Sequence, residues 1–218
     1  MNKIKPVRKL ARGTPGDPEY RRLAGQGWDL YAAHQFNVLT SLGLKAKDTL
    51  LDIGCGGLRG GRLFIAFLEK GNYCGIEPSD WAIKECIENE FGKEYIKIRK
   101  PSFSNNQFAN LNVFKRKFNF ILAHSVLVHS PKSWLRTCLR EVGQVLEPNG
   151  KFVANIIFKK YDSGESNWDY PRARYHSIKT VKSLANEAGL KMEITKIKHP
   201  APDKYTWVIF THNENNQK

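Results

Sequence analysis

The sequence predicts an α/β fold: a single Rossmann-like, doubly wound domain on a mainly parallel seven-stranded sheet, with an antiparallel C-terminal hairpin. Short apolar runs alternate with segments of helical periodicity through the middle of the chain, which is typical of a parallel sheet covered by helices. The length of 218 residues fits one such domain. Two final extended runs, separated by the turn-forming segment HPAPDK, predict the hairpin.

The first half of the sheet is predicted from three extended runs. Thr49–Ile53 is an apolar run that glycines end, and Tyr73–Glu77 is a second short apolar run. Tyr95–Arg99 alternates between apolar and basic residues, as a half-buried strand does. Gly61–Glu69 has the apolar spacing of a helix, and the sequence Pro-Ser-Asp at 78–80 is a good start for the next helix.

The second half of the sheet is predicted in the same way. Apolar runs indicate strands, amphipathic segments indicate helices, and a Pro-Asn-Gly turn at 148–150 leads into the fifth strand. Gly189 closes the last helix as a C-terminal cap. The helices are Ser133–Leu146 and Ser177–Ala188, and the strands are Phe118–Ala123, Lys151–Phe158, Lys191–Lys198 and Tyr205–Thr211.

Charge and composition restrict the location and partners of the protein. Lys and Arg number 35 against 21 Asp and Glu, which gives a net charge of +14 that suits an acidic partner. Residues 1–19 are predicted to be a basic flexible tail, 20–212 the domain, and 213–218 a polar tail. We expect a cytoplasmic protein without membrane contact, because no secretory signal or span-length apolar run is present. The four scattered cysteines lack zinc-ligand spacing, so no metal site is predicted.

The strongest motif is LLDIGCGGLRGG, Leu50–Gly61, in which an apolar strand ends at Asp52 and a glycine-rich turn runs into a helix. Gly54 and Gly56 allow the backbone to take positive φ and to approach a ligand closely. Helix-start amides favour an anionic group on that ligand. Glu77 ends the next strand about 20 residues later, where a carboxylate can accept hydrogen bonds from both ribose hydroxyls. The two features predict a site for a nucleoside with an anionic or zwitterionic appendage.

Other nucleotide-binding classes fit the motif less well. A dinucleotide fingerprint requires G-x-G-x-x-G, and Arg59 stands where the third glycine of that motif would be. Tyr175 and Lys179 have the Tyr-x-x-x-Lys spacing of short-chain dehydrogenases, but the glycine spacing of that family is missing. A phosphate loop of the Walker type is excluded, because no Gly-Lys-Ser/Thr follows the glycines. An NAD(P)-dependent oxidoreductase therefore stays the lesser alternative.

Four segments together resemble a known family. They are Leu50–Gly61, Tyr73–Glu77, Phe118–Ser130 and Arg140–Lys151, which are similar in order and spacing to the class I S-adenosylmethionine-dependent methyltransferases. The run REVGQVLEPNGKF is similar to the helix, turn and strand that follow the fourth strand in small-molecule and sugar-type members. The resemblance implies S-adenosylmethionine as the cofactor and methyl transfer as the reaction.

The resemblance also implies a set of cofactor-binding residues. The set is Asp52, Gly54, Gly56, Arg59, Glu77, His124 and Ser125. Asp52 and the two glycines would border the methionyl group, and Glu77 would hold the ribose. His124 and Ser125 would lie beneath the sulfonium. Arg59 would pair with the cofactor carboxylate or an acidic substrate, or be a surface residue. The chain departs from the family at Leu58, where a third alternate glycine is common, and after the third strand, where Asn105 or Asn106 would replace an acidic residue.

The catalytic and substrate-binding residues are predicted from the fourth and fifth strands onward. Methyl transfer depends mainly on alignment, and a base is needed only if the acceptor must lose a proton. His129, one turn beyond the fourth strand, is the candidate base. The long connection 159–176 is a candidate substrate lid, because long loops in compact domains are often functional. Its candidate acceptor-binding side chains, suited to a planar or anionic group, are Trp168, Tyr170, Arg172, Tyr175 and His176.

The acceptor is predicted to be a small molecule, methylated on an O or N atom. The basic surface leaves open an RNA or protein methyltransferase, although nucleic acid is not favoured: the chain lacks the Asn/Asp-Pro-Pro-Tyr/Phe and Pro-Cys motifs and any appended RNA-binding module. A non-catalytic basic binding subunit is a further alternative. The oligomeric state and the identity of the acceptor are not predicted.

Overall fold

A computed structural model describes residues 17–106, 110–164, 167–168, 170–201 and 205–213. Most of the predicted basic tail and nearly all of the polar tail therefore lie outside the described residues, as do three residues of the predicted lid, at 165, 166 and 169. Within the described ranges, none of the helices has the length and apolar character needed to cross a bilayer.

Helices and strands alternate along the described chain. The helices are α1 (Glu19–Leu23), α2 (Trp28–Ser41), α3 (Gly61–Phe67), α4 (Asp80–Cys86), α5 (Lys93–Arg99), α6 (Lys132–Val145) and α7 (Ile178–Glu187). The strands are β1 (Leu50–Ile53), β2 (Tyr73–Ile76), β3 (Ser102–Ser104), β4 (Phe118–Ala123), β5 (Leu146–Ile156), β6 (Leu190–Ile194) and β7 (Thr206–His212). A π-helical turn, Ile87–Phe91, extends α4, and 3₁₀ turns occupy Leu111–Phe114 and Leu127–His129.

The strands form a seven-stranded sheet with the order β3-β2-β1-β4-β5-β7-β6. β2 pairs in parallel with both β1 and β3, and β4 pairs in parallel with β5. β7 runs antiparallel to both β5 and β6, so the last two strands form a hairpin at the edge. The predicted fold class, a mainly parallel seven-stranded sheet with an antiparallel C-terminal hairpin, is confirmed.

The described residues divide into two compact units, 17–106 and 110–213. In the first unit every residue of β1 and β2 is buried, as expected of parallel strands that are covered on both faces. In the second unit β4 and β5 carry the apolar core, and α6 buries one face at helical spacing, with Trp134, Leu135, Leu139 and Val142 inside. Ser177 accepts a hydrogen bond from the Thr180 amide at the start of α7.

The strand predicted at Tyr95–Arg99 is wrong, because these residues belong to α5 and the third strand is Ser102–Ser104. None of the residues of α5 is buried, so the alternation of apolar and basic residues does not mark a core-facing strand. Lys97 pairs with Glu94 one turn earlier, at 2.6 Å, as neighbours on a helix surface do. The helix ends at Lys100, with φ of 52°, directly before a proline that disfavours further helix.

The turn predicted at 148–150 is also wrong, because β5 runs through it from Leu146 to Ile156. The pairing with β4 shifts there: Phe118 is opposite Leu146, whereas Phe120 is opposite Lys151. The turn-forming residues are thus accommodated as a bulge within a continuous strand.

Candidate functional site

Asp52 lies at the buried end of β1 and is only 3% exposed. The Tyr73 hydroxyl, from β2, donates a hydrogen bond to its Oδ2 atom over 2.8 Å. Burial raises the pKa of Asp52 to about 7, with a smaller contribution in the same direction from the charge of Glu77. The Tyr73 hydrogen bond and the charge of Arg59 oppose this rise in the pKa. The carboxyl of Asp52 therefore titrates close to neutral pH.

The raised pKa of Asp52 predicts a particular dependence of stability on pH. From the ordinary value of 3.8 up to about 7, the unfolded chain releases this proton while the folded protein retains it. The free energy of unfolding therefore falls as the pH rises through this window, by up to about 4 kcal/mol. Asp52→Asn keeps an oxygen for the Tyr73 hydroxyl but cannot titrate, so urea unfolding between pH 4 and 8 should show a flatter profile. An unchanged slope in this variant would contradict the assignment.

The glycines after β1 serve two different purposes. A Cβ atom built on Gly57 would lie 2.4 Å from the Tyr20 carbonyl oxygen, and one on Gly61 would lie 2.5 Å from the Tyr73 hydroxyl, so both are required for packing. Gly56 has φ of 55° and its added Cβ would meet no described atom within 4 Å. Gly56 therefore borders open space, which a ligand can occupy.

Glu77 follows β2, and its carboxylate is attached to the glycine turn. The Gly56 amide donates to Oε2 over 3.0 Å, and the Ser79 amide donates to Oε1 over 2.8 Å. Burial raises the pKa of Glu77, while the hydrogen bonds from Ser79 and Gly56 lower it. A carboxylate has about four acceptor positions, and the Gly56 amide, the Ser79 amide and the Ser79 side chain take up three of them. The remaining acceptor position and the open face of Gly56 fit the ribose of a nucleoside.

Arg59 is buried, which excludes the surface alternative for this residue. Its Nη1 donates to the Ala24 carbonyl over 2.7 Å, and its guanidinium carbon lies 5.0 Å from the centre of the Tyr31 ring. Arg59 thus joins the glycine-rich turn to the segment that precedes β1.

The same N-terminal segment is held by an ion-pair network at Glu90, in the π-helical turn. Arg21 lies 2.8 Å from Glu90, and the Tyr20 hydroxyl donates to the same carboxylate over 3.1 Å. Arg62 approaches the other oxygen of Glu90 at 3.6 Å, and the Trp28 ring lies against the Arg62 guanidinium. These contacts fix the segment next to the glycine-rich turn.

In the second unit, His124 and Ser125 follow β4 directly. The Ser125 amide donates to Oδ1 of Asn155 over 2.6 Å, and Ser125 has φ of 58°. Nε2 of His124 lies 3.1 Å from Nε2 of His199. The structure therefore brings these two predicted residues together with Asn155 and His199, which the sequence analysis did not select.

His129, in the 3₁₀ turn after β4, is nearly buried, with 8% exposure. Its Nδ1 lies 2.9 Å from the Arg172 carbonyl oxygen. Because a carbonyl oxygen can only accept, Nδ1 carries the proton, and in a neutral ring Nε2 is then the basic nitrogen. The Tyr170 and Trp168 rings contact His129 edge-on, with centroid distances of 4.9 and 6.4 Å. The predicted base thus has a defined orientation and lies beside two of the predicted acceptor-binding rings.

Arg174 and His176, in the predicted lid, are attached to the turn at 127–130. The Arg174 amide donates to the Val128 carbonyl over 2.7 Å, and Nε2 of His176 donates to the Ser130 carbonyl over 3.1 Å. His176 is only 1% exposed. Tyr175 lies instead against Lys159, whose ammonium is 4.4 Å from the ring centre.

Among the described residues, no group of three or more His, Cys, Asp or Glu side chains could hold a metal ion.

The fold and these contacts define the class of protein. A mainly parallel seven-stranded sheet with a C-terminal hairpin, a glycine turn that borders open space and an anchored acid after β2 are the features of class I S-adenosylmethionine-dependent methyltransferases. Residues 28–194 match the family described as a methyltransferase domain. The chain belongs to this family, and the predicted resemblance is confirmed.

Relatives and solved structures agree with this assignment. The sterol 24-C-methyltransferase of Saccharomyces cerevisiae is 26% identical over 146 residues, which cover 66% of this chain and 36% of that protein. The chain thus spans about a third of the length of this curated relative. The CcbJ methyltransferase from Streptomyces caelestis has a TM-score of 0.62 at 17% identity, covering 87% of this chain and 91% of its own. Magnesium protoporphyrin IX methyltransferase from Synechocystis PCC 6803, solved with bound S-adenosylhomocysteine, has a TM-score of 0.60 at 13% identity, covering 89% and 92% respectively.

Several residues of the site were missed by sequence analysis. Tyr73 and Ser79 contact the two carboxylates, but a strand-start tyrosine and a helix-start serine are common and give no special signal. Asn155 interrupts the apolar run FVANIIF, and a polar residue inside a buried strand was a usable signal. His199 lies in the connection of the C-terminal hairpin, where no periodicity points to the site.

Proposed function

We propose that this chain catalyses methyl transfer from S-adenosylmethionine to an O or N atom of a small-molecule acceptor. The observation that carries the proposal is the Glu77 carboxylate, held by the Gly56 and Ser79 amides beside the open face of Gly56. Membership of the methyltransferase domain family supports the reaction class.

The residues of the first unit would bind and orient the cofactor. Glu77 would accept hydrogen bonds from the ribose hydroxyls, while the turn at Gly54 and Gly56 and the Asp52 carboxyl would border the methionyl part. When bound, S-adenosylmethionine supplies a methyl group on a positively charged sulfur. Asn105 and Asn106 come directly after β3, and we include them as candidates for the adenine side.

The residues of the second unit would bind the acceptor and receive its proton. His129 has its Nδ1–H committed to the Arg172 carbonyl, so Nε2 would take the proton of an acceptor that must be deprotonated. Trp168 and Tyr170 would contact a planar acceptor and exclude water. Holding the attacking atom in line with the methyl group supplies most of the rate enhancement, because no covalent intermediate is required.

A carbon acceptor is the second candidate, and the similarity to sterol 24-C-methyltransferases favours it. This relative is matched over little more than a third of its length, so we place the small-molecule O or N acceptor first.

Calorimetry on the full chain tests the proposed function. S-Adenosylmethionine and S-adenosylhomocysteine should each bind with a dissociation constant on the order of micromolar, whereas NAD should give no heat. Absence of heat with both sulfur compounds, together with tight binding of a nicotinamide dinucleotide, would overturn the proposal in favour of an oxidoreductase.

A further inference from the structure

A chain of hydrogen bonds in the second unit ends at the loop after β4. The Ala201 amide donates to Nδ1 of His199 over 3.0 Å. Nε2 of His199 lies 3.1 Å from Nε2 of His124, and Nδ1 of His124 lies 3.4 Å from the Ser125 hydroxyl. The two imidazole rings are nearly coplanar, at 15°, and both lie against Trp207. The chain is buried, since His124 is 8% and His199 3% exposed.

The Ala201 amide gives this chain a direction. An amide nitrogen can only donate, so Nδ1 of His199 has no proton and Nε2 carries it in the neutral ring. That proton is donated to Nε2 of His124, whose own proton is then on Nδ1 and points to the Ser125 hydroxyl. Each hydrogen bond in the chain is thus donated in the direction of Ser125, and the Ser125 hydroxyl oxygen accepts the last one from Nδ1 of His124. Its O–H therefore remains available as a donor to another group, strengthened by the bond that the oxygen accepts.

Asn155 contributes a second donor beside Ser125. Its Oδ1 accepts the Ser125 amide at 2.6 Å, and this assigns the other amide atom as the NH₂ group. The side chain is fully buried, and its Nδ2 has no hydrogen-bond partner among the residues that the structure describes. A buried donor without a partner costs free energy, so an acceptor that reaches this atom would gain a hydrogen bond and relieve that cost.

Both donors lie where parallel strands of this fold bind ligands. Ala123 of β4 is paired with Ala154 of β5, so Ser125 and Asn155 follow this pair at the carboxyl ends of the two strands. Ser125 has φ of 58°, which a non-glycine residue rarely adopts. Such strained residues concentrate at ligand sites, and the hydrogen bond to Asn155 holds this one in place.

We propose that Ser125 and Asn155 form a donor subsite that binds a lone-pair oxygen of the methyl acceptor, either a carboxylate or a carbonyl oxygen. His199 and His124 are positioning residues that keep the Ser125 hydroxyl oriented as a donor. The inference rests on the proposed function, because the subsite is assigned to the methyl acceptor. Because both groups of the subsite are donors, the subsite excludes an acceptor that presents an ammonium group at this position.

The protonation pattern can be tested without any ligand. Long-range proton–nitrogen NMR of the labelled full chain at neutral pH should show His199 protonated on Nε2 and His124 on Nδ1. His199→Gln keeps an N–H donor at the position of Nε2, so the His124 pattern should persist. His199→Phe keeps an aromatic ring beside Trp207 but has no donor, so the His124 tautomers should mix. The opposite tautomer of His124 in the unmodified chain would overturn the proposed direction.

Binding of three simple probes tests the ligand class. In the presence of S-adenosylhomocysteine, benzoate or acetophenone should bind by NMR titration, whereas benzylamine should not. Stronger binding of benzoate indicates a carboxylate, and stronger binding of acetophenone indicates a carbonyl. Asn155→Asp keeps the oxygen for the Ser125 amide but removes the donor and adds a charge, so benzoate binding should weaken at least about tenfold. Asn186→Asp makes the same change on the exposed side of α7 and should bind benzoate as the unmodified chain does.

The outcomes separate this inference from the proposed function. Equal binding of benzylamine and benzoate, no binding of either oxygen probe, or benzoate binding that survives Asn155→Asp would each overturn the donor subsite. S-Adenosylhomocysteine affinity is measured in the same samples. If that affinity is present while the oxygen probes fail, only the subsite is wrong, whereas its absence removes the proposed function.

Discussion

Replacement of Glu77 by alanine is expected to weaken S-adenosylhomocysteine binding by at least about 100-fold in calorimetry. A hydrogen bond to a charged acceptor contributes about 1.5–3 kcal/mol, and the ribose would lose its bonding to this carboxylate. The Gly56 and Ser79 amides would also lose their acceptor, so the turn that borders the ligand would lose its anchor.

Glu77→Gln should be nearly as damaging, although it has the same shape. Both oxygens of Glu77 accept a backbone amide, so in either orientation the glutamine NH₂ group faces an N–H donor. The matched control is Glu69→Gln, the same change at an exposed position of the same unit. Retention of micromolar affinity in Glu77→Ala, with the fold intact by circular dichroism, would remove Glu77 from the cofactor site.

His129→Asn is expected to lower kcat by about 10²–10⁴-fold for an acceptor that must lose a proton. The asparagine NH₂ group can still donate to the Arg172 carbonyl, so the attachment of the 159–176 segment is kept. Only the basic nitrogen is lost. KM for S-adenosylmethionine should change little, which separates a loss of base catalysis from a loss of structure.

The control for this experiment is His212→Gln. Nε2 of His212 also donates to a backbone carbonyl, that of Leu146, over 3.2 Å, but in β7 and away from the 3₁₀ turn at 127–129. Its kcat should match that of the unmodified chain. If His129→Asn retains kcat within about threefold, the base assignment is wrong while the reaction class is unaffected.

Much of the sheet could be predicted because its central strands are buried. β1, β2 and β4 are short, mostly apolar runs, and such runs between glycine and proline signals have few other interpretations. α5 could not be predicted, since a short exposed helix has no core-facing pattern and its apolar residues happened to alternate. The continuation of β5 through Pro148 depends on a register shift against β4, which local sequence does not encode.

The predicted site residues differ in how far local sequence could identify them. Glu77 could be predicted as a site residue because its distance from the glycines is set by one strand–helix–strand unit. Asn155 meets Ser125 through the pairing of β4 and β5, and His199 meets His124 through the path of the terminal hairpin. Both contacts depend on tertiary structure. The burial of His176 likewise follows from its bond to the Ser130 carbonyl, a contact between distant parts of the chain.

The glycines after β1 have different structural roles, and this difference affects how genetic data on this protein should be interpreted. In a saturation mutagenesis screen, valine at Gly56, Gly57 and Gly61 would register as the same loss of fitness. At the latter two the lesion would be a folding defect, visible as reduced abundance in the cell, because a neighbouring atom already occupies the space. At Gly56, where φ is 55°, valine would strain the backbone and would also fill the space that a ligand can occupy, so its fitness cost should exceed its loss of abundance. Intolerance to substitution along this turn therefore cannot by itself be equated with contact to a small molecule.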